Sequence, residues 1–350
     1  MSLLALFERA GRRSDSYSKR SRGLRALACP YGTVVPDSLR ASLRTLFDVR
    51  RSTFDIRRCR LVDLYAMPQI GPYTLYTVDA GRFRLDGGAM FGIVPKTLWN
   101  KHIEADDKNR IPLAMRCLLL EGDGRLVLID NGLGDKYDAK FADIFAVDHG
   151  HSTLAGSLNA LGFSPKDVTD VVLTHLHFDH CGGSTGRDGD KLVLTFPNAI
   201  HHVQATHWEW ARRSNSREKA SFLAENLEPL AASGQIRKVD AAAGLLPGLE
   251  PIVIDGHTRA QQAVRIFDDS RSLVYVADLI PTSVHIPPVW CMAYDIEPMK
   301  SMAEKDAFLE QAVESGWHLF FEHDALVEVL DLEQTEKGIR GTGARNLADL

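Results

Sequence analysis

Thr174-His175-Leu176-His177-Phe178-Asp179-His180 packs four metal-capable side chains, His175, His177, Asp179 and His180, into six residues. With 13 His and 30 Asp in 350 residues, a His-x-His-x-Asp-His string arises by chance from this composition roughly once in 700 sequences. The string follows the β-branched apolar run Val171-Val172-Leu173 and precedes Gly182-Gly183, the pattern of a buried strand that ends in a tight loop. Residues two apart on an extended segment point the same way, so His175 and His177 can present imidazole nitrogens to one cation. Asp179 and His180 follow the turn and face a neighbouring position. One loop can thus feed two metal ions.

Composition sets the frame. Of the 350 residues, 45% are apolar and 25% charged, ordinary for a globular protein with a sizeable core. No run reaches the 18 or so apolar residues of a membrane span, and the opening Met1–Phe7 meets Glu8 and Arg9 too early for a signal peptide. The expectation is a cytoplasmic protein without a membrane partner. Residues 1–60 hold 14 Lys and Arg against 5 Asp and Glu, a net of +9, which leaves −14 for residues 61–350 of a chain whose total is −5. The basic segment around Gly11–Arg22 has no helical or strand period, so residues 1–65 read as a basic, poorly ordered extension and residues 66–350 as the folded domain. Tyr17 is the one aromatic among the charges of Gly11–Arg22, no Gly-rich stretch is interleaved with them and the remainder is acidic, which argues against a nucleic-acid partner. Cys29, Cys59, Cys117, Cys181 and Cys291 are odd in number and contain no Cys-x-x-Cys, so neither a disulfide framework nor a zinc finger is indicated. Cys181 reads as a small packing thiol.

From about residue 72 strands and helices alternate. Pro72–Val78 and Phe83–Leu85 around Ala80-Gly81, and Leu113–Leu120 with Leu126–Ile129 around Glu121–Arg125, read as hairpins. Helical patterns cover Ser152–Leu161 and Glu218–Ala232, with strands at Ile200–Val203, Pro251–Ile254, Ala263–Phe267 and Leu273–Val276. Layered α/β architecture follows. Gly-x-Gly-x-x-Gly is absent, which removes dinucleotide binding. The His- and Trp-rich Ile200–Trp210 reads as a strand and then a helix start capped by Thr206; His149 and His151 form a second His-x-His without a carboxylate partner, and no metal site is expected there.

Three further ligand candidates stand after apolar strands: His257 in Ile254-Asp255-Gly256-His257-Thr258, Asp278 in Val274-Tyr275-Val276-Ala277-Asp278, and His323 in Leu319-Phe320-Phe321-Glu322-His323-Asp324. A polar ligand at a strand tip sits at the rim of the core on a rigid scaffold.

The ordered set His-x-His-x-Asp-His, Gly-His-Thr, Asp and His resembles the metallo-β-lactamase-fold hydrolases over about residues 70–330, within the branch of the N-acyl-homoserine lactonases and methyl parathion hydrolase. The resemblance implies an αββα sandwich, two mixed sheets face to face with helices outside. It implies that His175, His177 and His257 hold one metal ion, that Asp179, His180 and His323 hold a second, and that Asp278 bridges both, with Asp179 and Asp278 as the catalytic carboxylates. Asp130, in Leu128-Ile129-Asp130-Asn131-Gly132, matches the family's buried aspartate outside the ligand shell. A bridging carboxylate argues against a β-lactamase, and only 27 residues after His323 leave little room for the C-terminal helical domain of glyoxalase II. Lactonases of this branch carry Tyr three residues after the bridging aspartate; Pro281 stands there. Tyr294, His285 and Trp290, in the Pro-rich loop that follows, are pocket candidates.

Imidazole and carboxylate donors favour Zn²⁺ first, with Fe²⁺, Mn²⁺ or Co²⁺ compatible. Two such ions would hold a water between them and lower its pKa from about 15.7 towards 7, supplying hydroxide without a Ser or Cys nucleophile. The reading is a dinuclear metal-dependent hydrolase that opens a lactone, as in quorum quenching, or cleaves a related small ester. The same-chemistry alternative is an organophosphate triester or aryl ester hydrolase; the different-class alternative is a non-catalytic module that metals merely stabilise. The partner expected is a small-molecule lactone or ester, with a homodimer as the quaternary option.

Overall fold

The central strands are apolar at consecutive positions, and the two faces of each go to different places. In the computed structural model, which describes residues 67–240 and 244–350, β1 (Gln69–Ile70), β2 (Tyr73–Asp86), β3 (Arg110–Gly122), β4 (Arg125–Ile129) and β5 (Asp170–Val172) are followed by a small hairpin, β6 (Thr185–Asp188) and β7 (Lys191–Leu194), and by β8 (Ile200–Gln204) and β9 (Ile236–Val239). The large sheet runs β1-β2-β3-β4-β5-β8-β9, antiparallel as far as β4 and parallel beyond it. The second half of the chain supplies β10 (Leu249–Ile254), β11 (Gln261–Phe267), β12 (Ser272–Tyr275), β13 (His318–Phe320), β14 (Val329–Thr335) and β15 (Gly338–Arg345), a six-stranded sheet in chain order whose one parallel pair is β12 with β13. Both sheets are mixed.

Alternation then makes the layers. Leu75, Leu118, Leu120, Val127 and Ile129 of the first sheet share one buried cluster with Val264, Ile266, Leu273, Tyr275 and Phe320 of the second, so the two inner faces interdigitate as a sandwich. The intervening residues face outward. Met115, Cys117, Leu119, Leu128 and Val171 meet Leu154, Leu158, Trp208, Leu227 and Leu230 of the flanking helices. Val274, Val276 and Leu319 meet Phe308, Leu309 and Ala312 of the helix Pro298–Glu314, for which the sequence pattern gave no expectation. The αββα layering is therefore observed, and no described helix is long and apolar enough to cross a membrane.

Three local expectations are corrected. Pro72–Val78 and Phe83–Leu85 are not hairpin partners; Tyr73–Val78 and Phe83–Leu85 lie in the one strand β2, whose register against β3 shifts between Asp79 and Arg82. Ala80-Gly81 is a bulge, and Gly81 has φ +125° with His149 Nδ1 where a Cβ would stand, so glycine marks a close approach there and not a turn. The strand continues because Arg82 N–H donates to Asp148 O (2.9 Å). The helix expected from Glu218 starts at Ala224; Glu218 itself lies in a turn and is buried. Thr206 does not cap: the helix Ala205–Ala211 begins after Gln204 with no side-chain cap bond. The Glu121–Arg125 hairpin and the helix Leu154–Ala160, capped by Thr153 through Gly156 N, agree with expectation. The basic extension 1–65 lies outside the described residues.

Candidate metal centre

Four strand ends converge at one edge of the sandwich. The segment after β5 delivers His175 and His177, and the short helix Phe178–Cys181 delivers Asp179 and His180. The β10–β11 connection carries His257, the turn Ala277–Leu279 after β12 carries Asp278, and the chain beyond β13 carries His323. All seven residues are at most 7% exposed. Backbone bonds stitch the sheets together here: Ala114 N–H donates to His323 O (3.0 Å), Arg116 N–H to Glu322 O (3.1 Å) and Gln262 N–H to Thr174 O (2.9 Å). Asp130, with φ +54°, and Ala277, with φ +47°, take left-handed backbone conformations beside the site, strain of the kind tolerated where surrounding structure fixes a functional geometry.

The side chains fall into two groups. His175 Nε2 lies 3.1 Å from His177 Nδ1, which lies 3.2 Å from His257 Nε2. His180 Nε2 lies 3.1 Å from His323 Nε2, with Asp179 Oδ2 3.8 Å from the latter. Asp278 stands between them: Oδ2 is 3.1 Å from His257 Nε2 and 3.5 Å from His180 Nε2, and Oδ1 is 3.4 Å from His323 Nε2. The structure thus brings together all seven residues singled out in the sequence.

The outer nitrogens test whether cations fit. His323 Nδ1–H donates to Ala114 O (2.9 Å), His257 Nδ1–H to Asp295 Oδ1 (2.9 Å) and His180 Nδ1–H to Asp130 Oδ2 (3.0 Å). Thr174 Oγ1–H donates to Asp130 Oδ2 (2.6 Å), so towards His175 Nδ1 (3.1 Å) it can only accept. Four rings are thereby fixed in tautomers whose inward nitrogens carry lone pairs. Lone pairs little more than 3 Å apart repel unless a proton or a cation lies between them, and a histidine whose outer N–H is engaged is the usual form of a metal ligand. The donor set suits a divalent ion of the zinc type.

Protonation in the cation-free chain follows the same logic. Burial lowers the His175 and His177 imidazoles. Burial also opposes charge on His257 and His323, but Asp278 outweighs it and lifts them to about 10 and about 9. Asp130 is pushed up to about 7 by burial and by Glu322, whose Oε2 lies 2.9 Å from the same His180 Nδ1.

A cleft of about 410 Å³ opens onto the ligands. Its walls include Leu85, Met90, Phe178 and Met292, with Tyr294 and Arg217 as polar members. Of the three pocket candidates, Tyr294 lines it. His285 and Trp290 do not: His285 is fully buried, bonded through Nδ1 to Thr282 Oγ1 (2.7 Å) and through Nε2 to Met90 O (2.9 Å) and stacked on Phe91, while Trp290 packs edge-on to Phe91. Cys181 is a buried thiol, pushed up by burial to about 12. His149 bonds Gly134 O (3.2 Å), and among the described residues the metal-capable clusters include neither it nor His151. Sequence reasoning missed Thr174, Glu322, Asp295, Glu218 and His207, which accepts from Leu176 N–H (2.8 Å) and donates to Arg259 O (2.6 Å). The Asp-x-x-x-Thr and Glu-His contexts of these residues carry no ligand signature on their own.

Comparison with known proteins places this geometry. Residues 112–314 match the metallo-beta-lactamase superfamily, and the chain belongs to that superfamily. A protein of Mycobacterium tuberculosis called "Probable metallo-hydrolase" is 27% identical over an alignment of 221 positions that covers 54% of this chain and 66% of that protein's length. An N-acyl homoserine lactonase of Bacillus cereus is 24% identical over an alignment of 210 positions that covers 57% of this chain and 72% of the lactonase. The solved structure of a "probable metal-dependent hydrolase" from Staphylococcus aureus superposes with a TM-score of 0.72 at 29% identity, covering 79% of this chain and 98% of that one.

Proposed function

We propose that this chain is a dinuclear metal-dependent hydrolase that opens a lactone, in the manner of the quorum-quenching N-acyl homoserine lactonases, or cleaves a related small ester. The observation that carries the reading is Asp278, whose carboxylate lies within 3.5 Å of histidine nitrogens of both groups. In it His175, His177 and His257 hold one ion, Asp179, His180 and His323 the other, and Asp278 both. Two divalent cations bound there, Zn²⁺ first among them, polarise a carbonyl or phosphoryl oxygen and make water nucleophilic at neutral pH.

The chain's own residues supply the setting. Thr174, Asp130, Asp295 and Ala114 O hold the ligand rings in one orientation, which preserves the spacing of the two groups through turnover. The apolar walls take one small substrate with an apolar arm and exclude bulk water. Tyr294 brings a phenol into the same cleft, and burial pushes it up to about 12, so it stays a hydrogen-bond donor at neutral pH. It can serve the substrate oxygen that a tyrosine at position 281 would otherwise meet. Residues 66–350 form the catalytic domain in this reading, the protein is cytoplasmic, and removal of residues 1–65 leaves hydrolysis within about twofold in a truncation assay.

Metal-loaded protein screened on homoserine lactones of several chain lengths, paraoxon-like triesters and aryl acetates tests the reading. Lactone turnover with two ions per chain is expected. Triester turnover with inert lactones moves the assignment to an organophosphate hydrolase, a reading that Pro281 in place of tyrosine favours. Ion binding without turnover of any ester overturns the enzymatic reading.

A further inference from the structure

Glu218 is a carboxylate at 3% exposure, and buried carboxylates persist only where they are paired. Its Oε2 accepts from Trp210 Nε1–H (2.9 Å) and Asn215 Nδ2–H (3.2 Å), and its Oε1 accepts from Thr258 Oγ1–H (2.5 Å). These three donors are neutral. The ion-pair contact of Glu218 is to His177, whose Nε2 lies 3.7 Å from Oε1. That nitrogen is buried and has no hydrogen-bond partner, whereas the outer nitrogens of His175, His180, His257 and His323 have theirs within 3.1 Å.

His177 is thus the one ligand ring whose outer N–H is still open, and a charged acceptor faces it across a gap of one short shift. Thr258 follows His257 in the chain, so Glu218 ties together both loops that feed the three-histidine group. We infer that Glu218 is the positioning residue of that group: its carboxylate orients His177 with Nδ1 inward and anchors the His257 loop, while Arg217 beside it donates to Ala293 O and Asp295 O on the opposite cleft wall. The inference rests on the two-ion reading given above. It concerns how tightly one ion is held and assigns Glu218 no contact with the reacting atoms.

The test compares Zn²⁺ affinity by chelator competition and the Co²⁺ absorption spectrum in wild type, Glu218→Gln and Trp210→Phe, with thermal melts of the metal-free proteins. Glu218→Gln keeps volume but removes charge. It is expected to weaken one of the two ions by about 10- to 100-fold, the range for losing an outer partner of a ligand histidine, and to shift the Co²⁺ bands. Trp210→Phe removes a different bond to the same carboxylate and leaves Oε1 facing His177, so its affinities stay within about threefold of wild type. A merely structural Glu218 lowers the metal-free melting point and leaves affinity and spectrum unchanged, which overturns the inference. So does an unchanged affinity with a fall in kcat alone, which makes Glu218 a substrate or proton group. Equal losses in both variants overturn it as well, because packing then outweighs the carboxylate. Wild-type protein that takes up no divalent ion sinks the two-ion reading first and this inference with it; two ions held equally tightly by wild type and Glu218→Gln sink this inference alone.

Discussion

The two ligand groups share Asp278 and are otherwise built on different principles. In the three-histidine group each outer ring nitrogen meets a different partner: the Thr174 hydroxyl for His175, the Asp295 carboxylate for His257 and, at 3.7 Å, the Glu218 carboxylate for His177. In the other group one imidazole, His180, meets two wholly buried carboxylates, Asp130 and Glu322, through the same Nδ1. One N–H cannot satisfy two acceptors, and the Glu322 oxygens have no hydrogen-bond partner. The first group therefore spreads its two outer carboxylates over two rings, and the second crowds two buried carboxylates onto one ring beside the Asp179 carboxylate. Such charge is costly unless a cation compensates it. The contrast teaches that two neighbouring side-chain groups of different donor make-up can differ in their demand for positive charge.

Asp278 is the element whose removal erases the distinction, so it carries the largest expected effect. Asp278→Asn keeps volume and removes the charge that faces both groups. Metal content measured by plasma emission is expected to fall below two ions per chain, and hydrolysis to fall beyond the ~10- to 100-fold typical of losing an outer partner. The urea midpoint of the metal-free protein should change far less. Full activity in this variant breaks the two-ion mechanism.

Asp130 and Glu322 separate the two groups. Asp130 accepts from His180 and also from Thr174 N–H (2.8 Å) and Thr174 Oγ1–H, and Thr174 in turn receives His175 Nδ1–H. It therefore supports both groups, whereas Glu322 touches one. Asp130→Asn is expected to weaken both ions by about 10- to 100-fold and Glu322→Gln to weaken one only. Equal effects of the two variants in stepwise chelator titrations would show that His180 alone transmits them.

That contrast also explains what the sequence could tell. The seven ligand candidates were legible because imidazole and carboxylate at the ends of apolar strands have few other uses, and Asp130 was legible through the family pattern after β4. Thr174, Glu218, Asp295 and Glu322 were not, because an outer partner is defined by which backbone brings it near, and any acceptor type suffices: Ala114 serves His323 with a carbonyl. The sandwich was readable from short continuous apolar runs such as Leu126–Ile129 and Leu273–Val276, the pattern of strands buried on both faces. The bulge at Ala80-Gly81 was not, since a glycine required by the approach of His149 looks the same in sequence as one required by a turn. Glu218 was read on a helix because its neighbours are helix formers, and burial beside His177 and Thr258 overrode that preference.

The cleft serves both groups, and a change there should leave them alike. Tyr294→Phe removes the phenolic donor and little volume. If that hydroxyl meets the substrate oxygen, kcat/KM is expected to fall by about tenfold, the value of one ordinary hydrogen bond, with both ions retained. A loss of metal in this variant would tie Tyr294 to the ligands instead of to substrate.

The smallest effect on chemistry is expected at Asp170, a second buried Asp–His pair at the opposite end of the strand that feeds the ligand loop. His202 Nε2 lies 2.7 Å from Oδ1, while Arg125 Nη1–H (2.9 Å) and Thr169 Oγ1–H (2.8 Å) donate to Oδ2. Burial alone would raise this carboxyl, but the bonds from His202, Thr169 and Arg125 outweigh it and hold it at about 2. A folded value below the unfolded one of about 3.9 means that the ionised carboxylate stabilises the fold above pH 4, and that this contribution is lost as pH falls from about 4 to about 2. Asp170→Asn should therefore cost roughly 1–2 kcal/mol at pH 7 in urea unfolding, and the gap to wild type should narrow steadily below pH 4. Ion affinity should not move. Unlike Asp130, Asp170 faces no ligand histidine, so a loss of metal in this variant would mean that strand β5 transmits strain along its length to His175, and the separation of scaffold from site drawn here would fail.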